Sequence, residues 1–127
     1  GFSGAVITGT AGETVALGDV CYLKSDGKFW LAKADVATTK MPGVVMATAD
    51  IQADDLGVFL QNGFIRDDSW GAWTVGGSLF VTITGTTTNT VSQAAPVASG
   101  NIVQDIGYAY GAKVLFFDPN RTQVEIA

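Results

Sequence analysis

The chain has 127 residues, of which 47% are apolar and 15% charged, with a net charge of −5 and no histidine. This length and apolar content predict one compact domain whose core closes without metal or disulfide. Seven basic residues against twelve acidic ones exclude the positive surface that nucleic acid requires. No apolar run reaches the roughly 20 residues of a membrane span, so membrane insertion is excluded as well.

The chain begins at Gly1 and not at methionine, which indicates a processed product, a trimmed chain or a fragment of a longer protein. Residues 1–10 are small and apolar, and we expect an N-terminal arm or a first strand that begins at Ala5. Residues 11–127 are expected to form a single β domain. Cys21 is the only cysteine, and its apolar neighbours predict a small buried side chain.

Residues 20–33 are predicted to form a β-hairpin. The apolar run Val20–Lys24 has a strong strand signal, and Phe29–Lys33 is the returning strand. Between them, Asp26-Gly27 tolerates the positive φ angles that a two-residue hairpin loop requires.

The segment after this hairpin contains the one stretch that favours a turn or two of helix. It covers residues 34–41 and is ended by Pro42, which cannot continue a helix. A strand is then predicted at Gly43–Ala47, followed by a polar turn over residues 50–55.

A second hairpin-type dipeptide, Asn62-Gly63, lies between the predicted strand Leu56–Gln61 and the short run Phe64–Arg66. It predicts a turn that reverses the chain at this point. Beyond a loop and a threonine-rich turn over residues 85–90, further strands are predicted at residues 78–83, 102–110, 113–117 and 123–126.

About ten short strands with turn signals every eight to twelve residues predict an all-β fold. The expected architecture is a compact antiparallel β-barrel or a two-sheet sandwich with little or no helix.

The acidic clusters are two adjacent pairs, Asp54-Asp55 and Asp67-Asp68. Neither pair has the alternating ligand spacing of a calcium loop, so both are interpreted as solvated turn residues and no metal site is predicted. Asp67 and Asp68 could also accept hydrogen bonds from the backbone of the tryptophan-containing loop. Without histidine, and with its cysteine and lysines isolated, the chain shows no nucleophile and base pair, so we predict no catalytic residue, no cofactor and no enzyme activity.

The most distinctive side chains are Phe64, Trp70 and Trp73, which with Asp67 and Asp68 form a candidate interaction or recognition loop. Exposed aromatic rings in such a loop can stack on the faces of sugar rings. The same rings can instead plug the end of a barrel or pack against a neighbouring subunit, and we favour this second interpretation because large aromatic side chains are mostly buried.

The low charge content also bears on partners. A charged fraction of 15% is below the roughly one quarter that is typical of soluble domains. We therefore expect part of the surface to be covered by other copies of the chain or by a partner.

The succession of these motifs resembles that of phage capsid cement or decoration proteins and of related C-terminal modules in phage head-fibre and tail-fibre proteins. The resemblance spans most of the chain in order. It comprises the opening segment Gly12–Asp35, the return Pro42–Ala47, the stretches Gly63–Trp70 and Trp73–Phe80, and the ending Phe116–Asn120 and Val124–Ala127.

This resemblance implies a non-enzymatic structural protein of the virion, built from β-rich subunits that are often trimeric. It implies capsid or fibre proteins as partners, and leaves open whether the module sits on the capsid or on a tail. The alternative function is recognition of a carbohydrate or host surface, with a surface glycan as ligand of the aromatic loop.

Overall fold

The computed structural model describes residues 1–35 and 40–127, in which every regular element is a strand. No helix within these two ranges is long and apolar enough to cross a membrane. The short helix predicted within residues 34–41 falls largely on residues 36–39, outside the described residues. The strands are β1 (Phe2–Thr10), β2 (Val20–Leu23), β3 (Phe29–Leu31), β4 (Val45–Ala47), β5 (Leu56–Arg66), β6 (Ser78–Thr86), β7 (Asn89–Ser92), β8 (Ile102–Val103), β9 (Asp105–Gly111), β10 (Val114–Phe117) and β11 (Val124–Glu125).

Nine strands form one antiparallel sheet, in the order β3-β2-β4-β5-β10-β9-β6-β7, with β1 paired to β5. Ala11, just after β1, bridges to Phe29 of β3, so the sheet curls back on itself and is nearly closed. Strands β8 and β11 form a separate two-stranded sheet. The predicted all-β, barrel-like antiparallel fold is confirmed, and so is the hairpin over residues 20–33, in which Tyr22 pairs with Trp30.

Strand β5 is the common element of the main sheet. Along one edge it pairs with β1 over its whole length, from Leu56 opposite Thr10 to Ile65 opposite Phe2. Along its other edge β5 pairs with two strands, one after the other: β4 pairs with its first half and β10 with its second half. Strand β5 therefore joins the two halves of the sheet.

The turn predicted at Asn62-Gly63 is wrong, because β5 runs straight through this dipeptide. Gly63 does adopt a positive φ of 144°, but it does so inside the strand, directly opposite Gly4. The pairing register also shifts here, because Ala5 lies opposite Asn62 whereas the next residue, Val6, lies opposite Leu60. The dipeptide thus sits beside a β-bulge, which accommodates one extra residue in a continuous strand.

The interior contains two clusters of buried apolar side chains. Strands β2, β4 and β5 contribute to both, because alternate residues of a strand point to opposite faces of the sheet. The first includes Phe59, which packs on Phe29 with ring centroids 4.7 Å apart. Cys21 belongs to this cluster and is fully buried, as predicted. The second and larger cluster includes Phe117 and Leu115 of β10.

The single strand predicted over residues 102–110 is in fact two strands in different sheets, separated at Gln104. The side chain of Gln104 is fully buried and acts as a polar link. It accepts a 2.8 Å hydrogen bond from the N–H of Gly43 and donates to the carbonyls of Gly43 and Asn120. A buried amide with these partners satisfies backbone groups of two connecting segments at the point where the strand is interrupted.

We predict that Gly63→Ala lowers the free energy of unfolding by about 2–4 kcal/mol, since it combines a positive φ with a steric clash. A methyl group on Gly63 would overlap the carbonyl oxygen of Ser3 and lie 2.7 Å from the Cα of Gly4. Gly27→Ala is the matched control, because Gly27 also has a positive φ, of 82°, but no atom within 4 Å of the added methyl. We expect the control to cost about 1 kcal/mol. Urea unfolding measures both, and equal losses would contradict the proposed close approach of β1 and β5.

Candidate functional site

Trp70 and Trp73 lie side by side in the loop that connects β5 to β6. Their ring centroids are 5.8 Å apart, with the ring planes at 58°. Both side chains are partly buried and pack against the larger core cluster. The indole N–H of Trp73 is buried without a hydrogen-bond partner among the described residues.

This loop is fixed by contacts at both of its ends. The backbone N–H of Trp73 donates to the carbonyl of Ala112, 3.0 Å away, and the ammonium of Lys113 donates to the carbonyl of Trp70. Further on, the amide of Gln93 forms two hydrogen bonds of 2.9 and 2.8 Å with the backbone of Thr74. The backbone of this loop is therefore held by the turn between β9 and β10 and by Gln93, which follows β7.

The two rings form one wall of a pocket of about 460 Å³, which we call the tryptophan pocket. Three chain segments converge on it: the turn before β2, the β5–β6 loop and the β6–β7 turn. Its lining residues are Leu17, Gly18, Asp19, Asp67, Ser69, Trp70, Gly71, Trp73, Thr88, Thr90 and Val91.

Asp67 lines this pocket and shapes the loop. Its Oδ1 atom accepts hydrogen bonds from the backbone N–H of Ser69, at 2.9 Å, and from the Ser69 hydroxyl, at 2.6 Å. The predicted hydrogen bond from loop backbone to Asp67 is thus present. The other oxygen, Oδ2, receives no hydrogen bond within the described part of the chain. One carboxylate oxygen therefore stays available on the pocket side.

Asp68, although adjacent, does not line the pocket. Its side chain is exposed and accepts a 2.8 Å hydrogen bond from Nε of Arg66.

Gly18 lets the turn before β2 pass close beneath Trp70. Its φ is 87°, and a methyl group at this position would lie 2.8 Å from Cζ2 of Trp70 and 3.4 Å from Oδ2 of Asp67. Only glycine satisfies both the backbone conformation and the contact with the ring.

Asp19 is a buried carboxylate in this pocket, and it ties the turn before β2 to the β6–β7 turn. Its Oδ2 accepts hydrogen bonds from the N–H of Ala16, at 2.9 Å, and the hydroxyl of Thr87, at 2.7 Å. Its Oδ1 accepts a 2.9 Å bond from the N–H of Thr88. Burial raises the pKa of Asp19 above its ordinary value of 3.8, although these donors and Thr90 oppose the shift.

Phe64 lies elsewhere, because it points outward from β5 while Gly63 and Ile65 point inward. It belongs to an exposed group that we call the aromatic patch, made of Phe64, Tyr108, Tyr110 and Phe116. The structure therefore brings Trp70, Trp73 and Asp67 together and separates them from Phe64.

The aromatic patch covers three neighbouring strands in register. Phe116 of β10 lies opposite both Phe64 of β5 and Tyr108 of β9. Ring centroids are 4.9 Å apart for Phe64 and Phe116, 5.4 Å for Tyr108 and Phe116, and 5.0 Å for Phe64 and Tyr110. Three of the four rings remain open to solvent, with exposed fractions of 37% for Phe64, 41% for Tyr108 and 61% for Tyr110.

Polar pairs flank this patch on β5. Asn62 donates a 2.9 Å hydrogen bond to Asp118, and on the other side Arg66 is paired with Asp68. Apolar rings at the centre with hydrogen-bonded polar groups at the edge are the usual arrangement of a protein interface.

Sequence reasoning missed Asp19 and three members of the patch. Tyr108 and Tyr110 alternate with buried Ala109, a period-two pattern that could have indicated outward-facing rings. Asp19 carries no comparable signal, because the donors that connect it to the β6–β7 turn, Thr87 and Thr88, lie nearly 70 residues away.

The remaining acidic pair contributes a surface ion pair, in which Asp54 lies 2.8 Å from the ammonium of Lys28. Across residues 1–35 and 40–127, no three Cys, Asp or Glu side chains cluster as metal ligands would. Burial raises the pKa of the Cys21 thiol well above its ordinary value, so this thiol stays protonated at neutral pH.

No protein-family model, curated protein or solved structure matches this chain. Its function is therefore inferred from the chemistry of the tryptophan pocket and the aromatic patch.

We predict that Asp19 makes folding less favourable as pH rises from about 4. The folded protein holds the Asp19 proton more tightly than the unfolded chain does. Protonation of Asp19 therefore adds to the free energy of unfolding at acid pH, and this contribution is lost as pH rises through the raised pKa.

Asp19→Asn removes this titration, and urea unfolding of both proteins between pH 3.5 and 7 measures the effect. The difference in free energy of unfolding between the wild type and the variant should favour the wild type most at pH 3.5. A difference that grows with pH would mean that the hydrogen-bond donors lower the pKa of Asp19 more than burial raises it.

Proposed function

We propose that this chain is a non-enzymatic structural module of a phage particle, a capsid decoration or head- or tail-fibre module that self-associates through its aromatic patch. In this proposal the protein resides in the virion, assembles as a trimer and contacts capsid or fibre proteins. The observation that carries the proposal is the set of four packed rings on the outer face of β5, β10 and β9.

Several features of the patch favour a protein partner. Contiguous exposed apolar groups often mark interaction sites, and Tyr and Phe are enriched in the centres of interfaces. The rings are already packed on each other in the single chain, so little side-chain entropy would be lost when a partner covers them.

Charge favours a second copy as that partner. The chain carries a net charge of −5, yet none of the four patch residues is charged. Contact between such patches therefore places uncharged rings against each other, with the carboxylates of Asp68 and Asp118 at the edge, which limits the repulsion that opposes association of an acidic protein.

Strand β1 extends this uncharged surface. Residues 1–12 contain no charged side chain, and Ser3 of β1 lies directly opposite Phe64 of the patch. Phe2, Val6 and Ile7 are exposed on this strand. Edge strands usually carry charges that discourage pairing with other chains, and β1 has none.

The non-enzymatic part of the proposal is supported by composition and burial. The chain has no histidine, and its one cysteine is buried. The phage context is supported by the order of the strand and turn motifs, which resembles that of decoration and fibre modules.

We predict that the double variant Phe64→Ser with Tyr110→Ser weakens self-association at least about tenfold, since interface aromatic residues commonly contribute this much or more. Sedimentation equilibrium over a range of protein concentrations measures the change. The matched control is Leu23→Ser with Val97→Ser, which removes two apolar side chains that are 57% and 87% exposed outside the patch. A wild-type protein that stays monomeric at micromolar concentration, or equal loss in both variants, would contradict the proposal.

A second candidate function, recognition of a carbohydrate or host surface, is favoured by the tryptophan pocket. The pocket combines two angled indole rings with carboxylate and hydroxyl groups, in a volume of about 460 Å³. Sites for small ligands typically combine aromatic walls with a few polar groups. The two functions use separate surfaces, so one protein can have both.

We predict that Trp70→Ala and Trp73→Ala abolish binding on a glycan array while sedimentation stays as in the wild type. Phe64→Ala, an aromatic residue outside the pocket, should leave glycan binding intact. If the tryptophan variants instead lose self-association and no glycan binds the wild type, these rings serve packing between subunits.

A further inference from the structure

We infer that the tryptophan pocket takes a neutral sugar of one or two rings, and that Asp67 makes it discriminate against acidic sugars. This inference rests on the second candidate function and adds to it the chemical class of the ligand and the residue that selects it.

Size and shape indicate a small cyclic ligand. A volume of about 460 Å³ lies within the range of small-molecule sites and suits one or two sugar rings. Trp70 and Trp73 meet at 58°, so the two indoles form an angled wall against which the apolar face of a sugar ring can lie. Their loop is hydrogen-bonded to the β9–β10 turn and to Gln93, so the wall exists before the ligand arrives.

The free polar groups match the hydroxyl groups of a sugar. Oδ2 of Asp67 is a charged acceptor without a donor in the described chain, and hydrogen bonds to charged groups are the stronger ones. Thr88 contributes a hydroxyl that makes no hydrogen bond within the same described residues. A sugar hydroxyl can donate to Asp67 while another accepts from Thr88.

The charges around the pocket disfavour an acidic ligand. Two carboxylates, Asp19 and Asp67, line it, and none of the lining residues is basic. The neighbouring cation, Lys113, already donates to the carbonyl of Trp70. The carboxylate of an acidic sugar would face Asp67 with no basic side chain among the lining residues, so repulsion lowers its affinity.

The lining also favours a sugar over a plain ammonium ligand. Cages for quaternary ammonium groups surround the cation with aromatic faces. Here the aromatic wall covers one side, and the Thr88 hydroxyl and Oδ2 of Asp67, both free of hydrogen bonds within the described chain, lie among the other lining residues. This mixture offers partners to several ligand hydroxyls, which an ammonium group lacks.

The test compares neutral oligosaccharides with their sialylated or uronic-acid counterparts on the wild-type protein, Asp67→Asn and Asp68→Asn, by glycan array followed by calorimetric titration. Asp68→Asn is the matched control, because Asp68 is adjacent but lies outside the pocket. We expect the wild type to bind a neutral glycan at least about tenfold more tightly than its acidic counterpart.

Asp67→Asn should weaken neutral-glycan binding about tenfold and reduce the difference between neutral and acidic glycans. Asp68→Asn should change neither. The Asn variant keeps an oxygen acceptor for the N–H of Ser69, and Asp67→Ser, whose hydroxyl can serve the same turn, replaces it if it does not fold.

Equal binding of acidic and neutral glycans, preference for ammonium ligands, or an unchanged difference in Asp67→Asn overturns this inference. In those cases tryptophan-dependent binding would still support the recognition function. Absence of binding to every glycan by the wild type overturns the recognition function itself, together with the inference.

Discussion

The close main-chain approach of Gly4 and Gly63 is the constraint on which the rest of the structure depends. Because neither residue has a side chain, β1 can lie along the whole of β5, past the bulge beside Asn62. The opposite edge of β5 is then free for pairing with β4 and β10. Strands β4 and β5 contribute alternate side chains to both core clusters, so one sheet connects the two clusters.

The uninterrupted course of β5 also separates the aromatic patch from the tryptophan pocket. Because β5 does not turn at Gly63, strand alternation continues and Phe64 points outward, in register with Phe116 of β10. The chain leaves β5 only after Arg66, and the loop that follows carries both tryptophans to the pocket beside Gly18 and Asp19. The uncharged aromatic surface, for which we propose subunit contact, and the polar, tryptophan-lined pocket, for which we propose a small ligand, thus lie apart in one chain.

The sequence was most informative where structure is determined locally. The hairpin over residues 20–33 follows from a turn dipeptide between two apolar runs, and the Trp70, Trp73 and Asp67 grouping follows from closeness along the chain. The turn predicted at Asn62-Gly63 was wrong because a dipeptide shows which φ angles are tolerated but not which strand lies opposite. The residue opposite Gly63 is Gly4, which is almost sixty residues away in the sequence. The roles of Asp19 and Gln104 were also inaccessible, since their partners lie on distant segments.

Hydroxyl-radical footprinting over a range of protein concentrations tests the central claim most directly, since it measures side-chain accessibility in the assembled protein. If β5 presents its aromatic patch as the contact between copies, oxidation of Tyr108 and Tyr110 should fall as the protein associates. Oxidation of the exposed Leu23, outside the patch, should stay constant. Tyrosine oxidation that is independent of concentration while the protein associates would contradict this account.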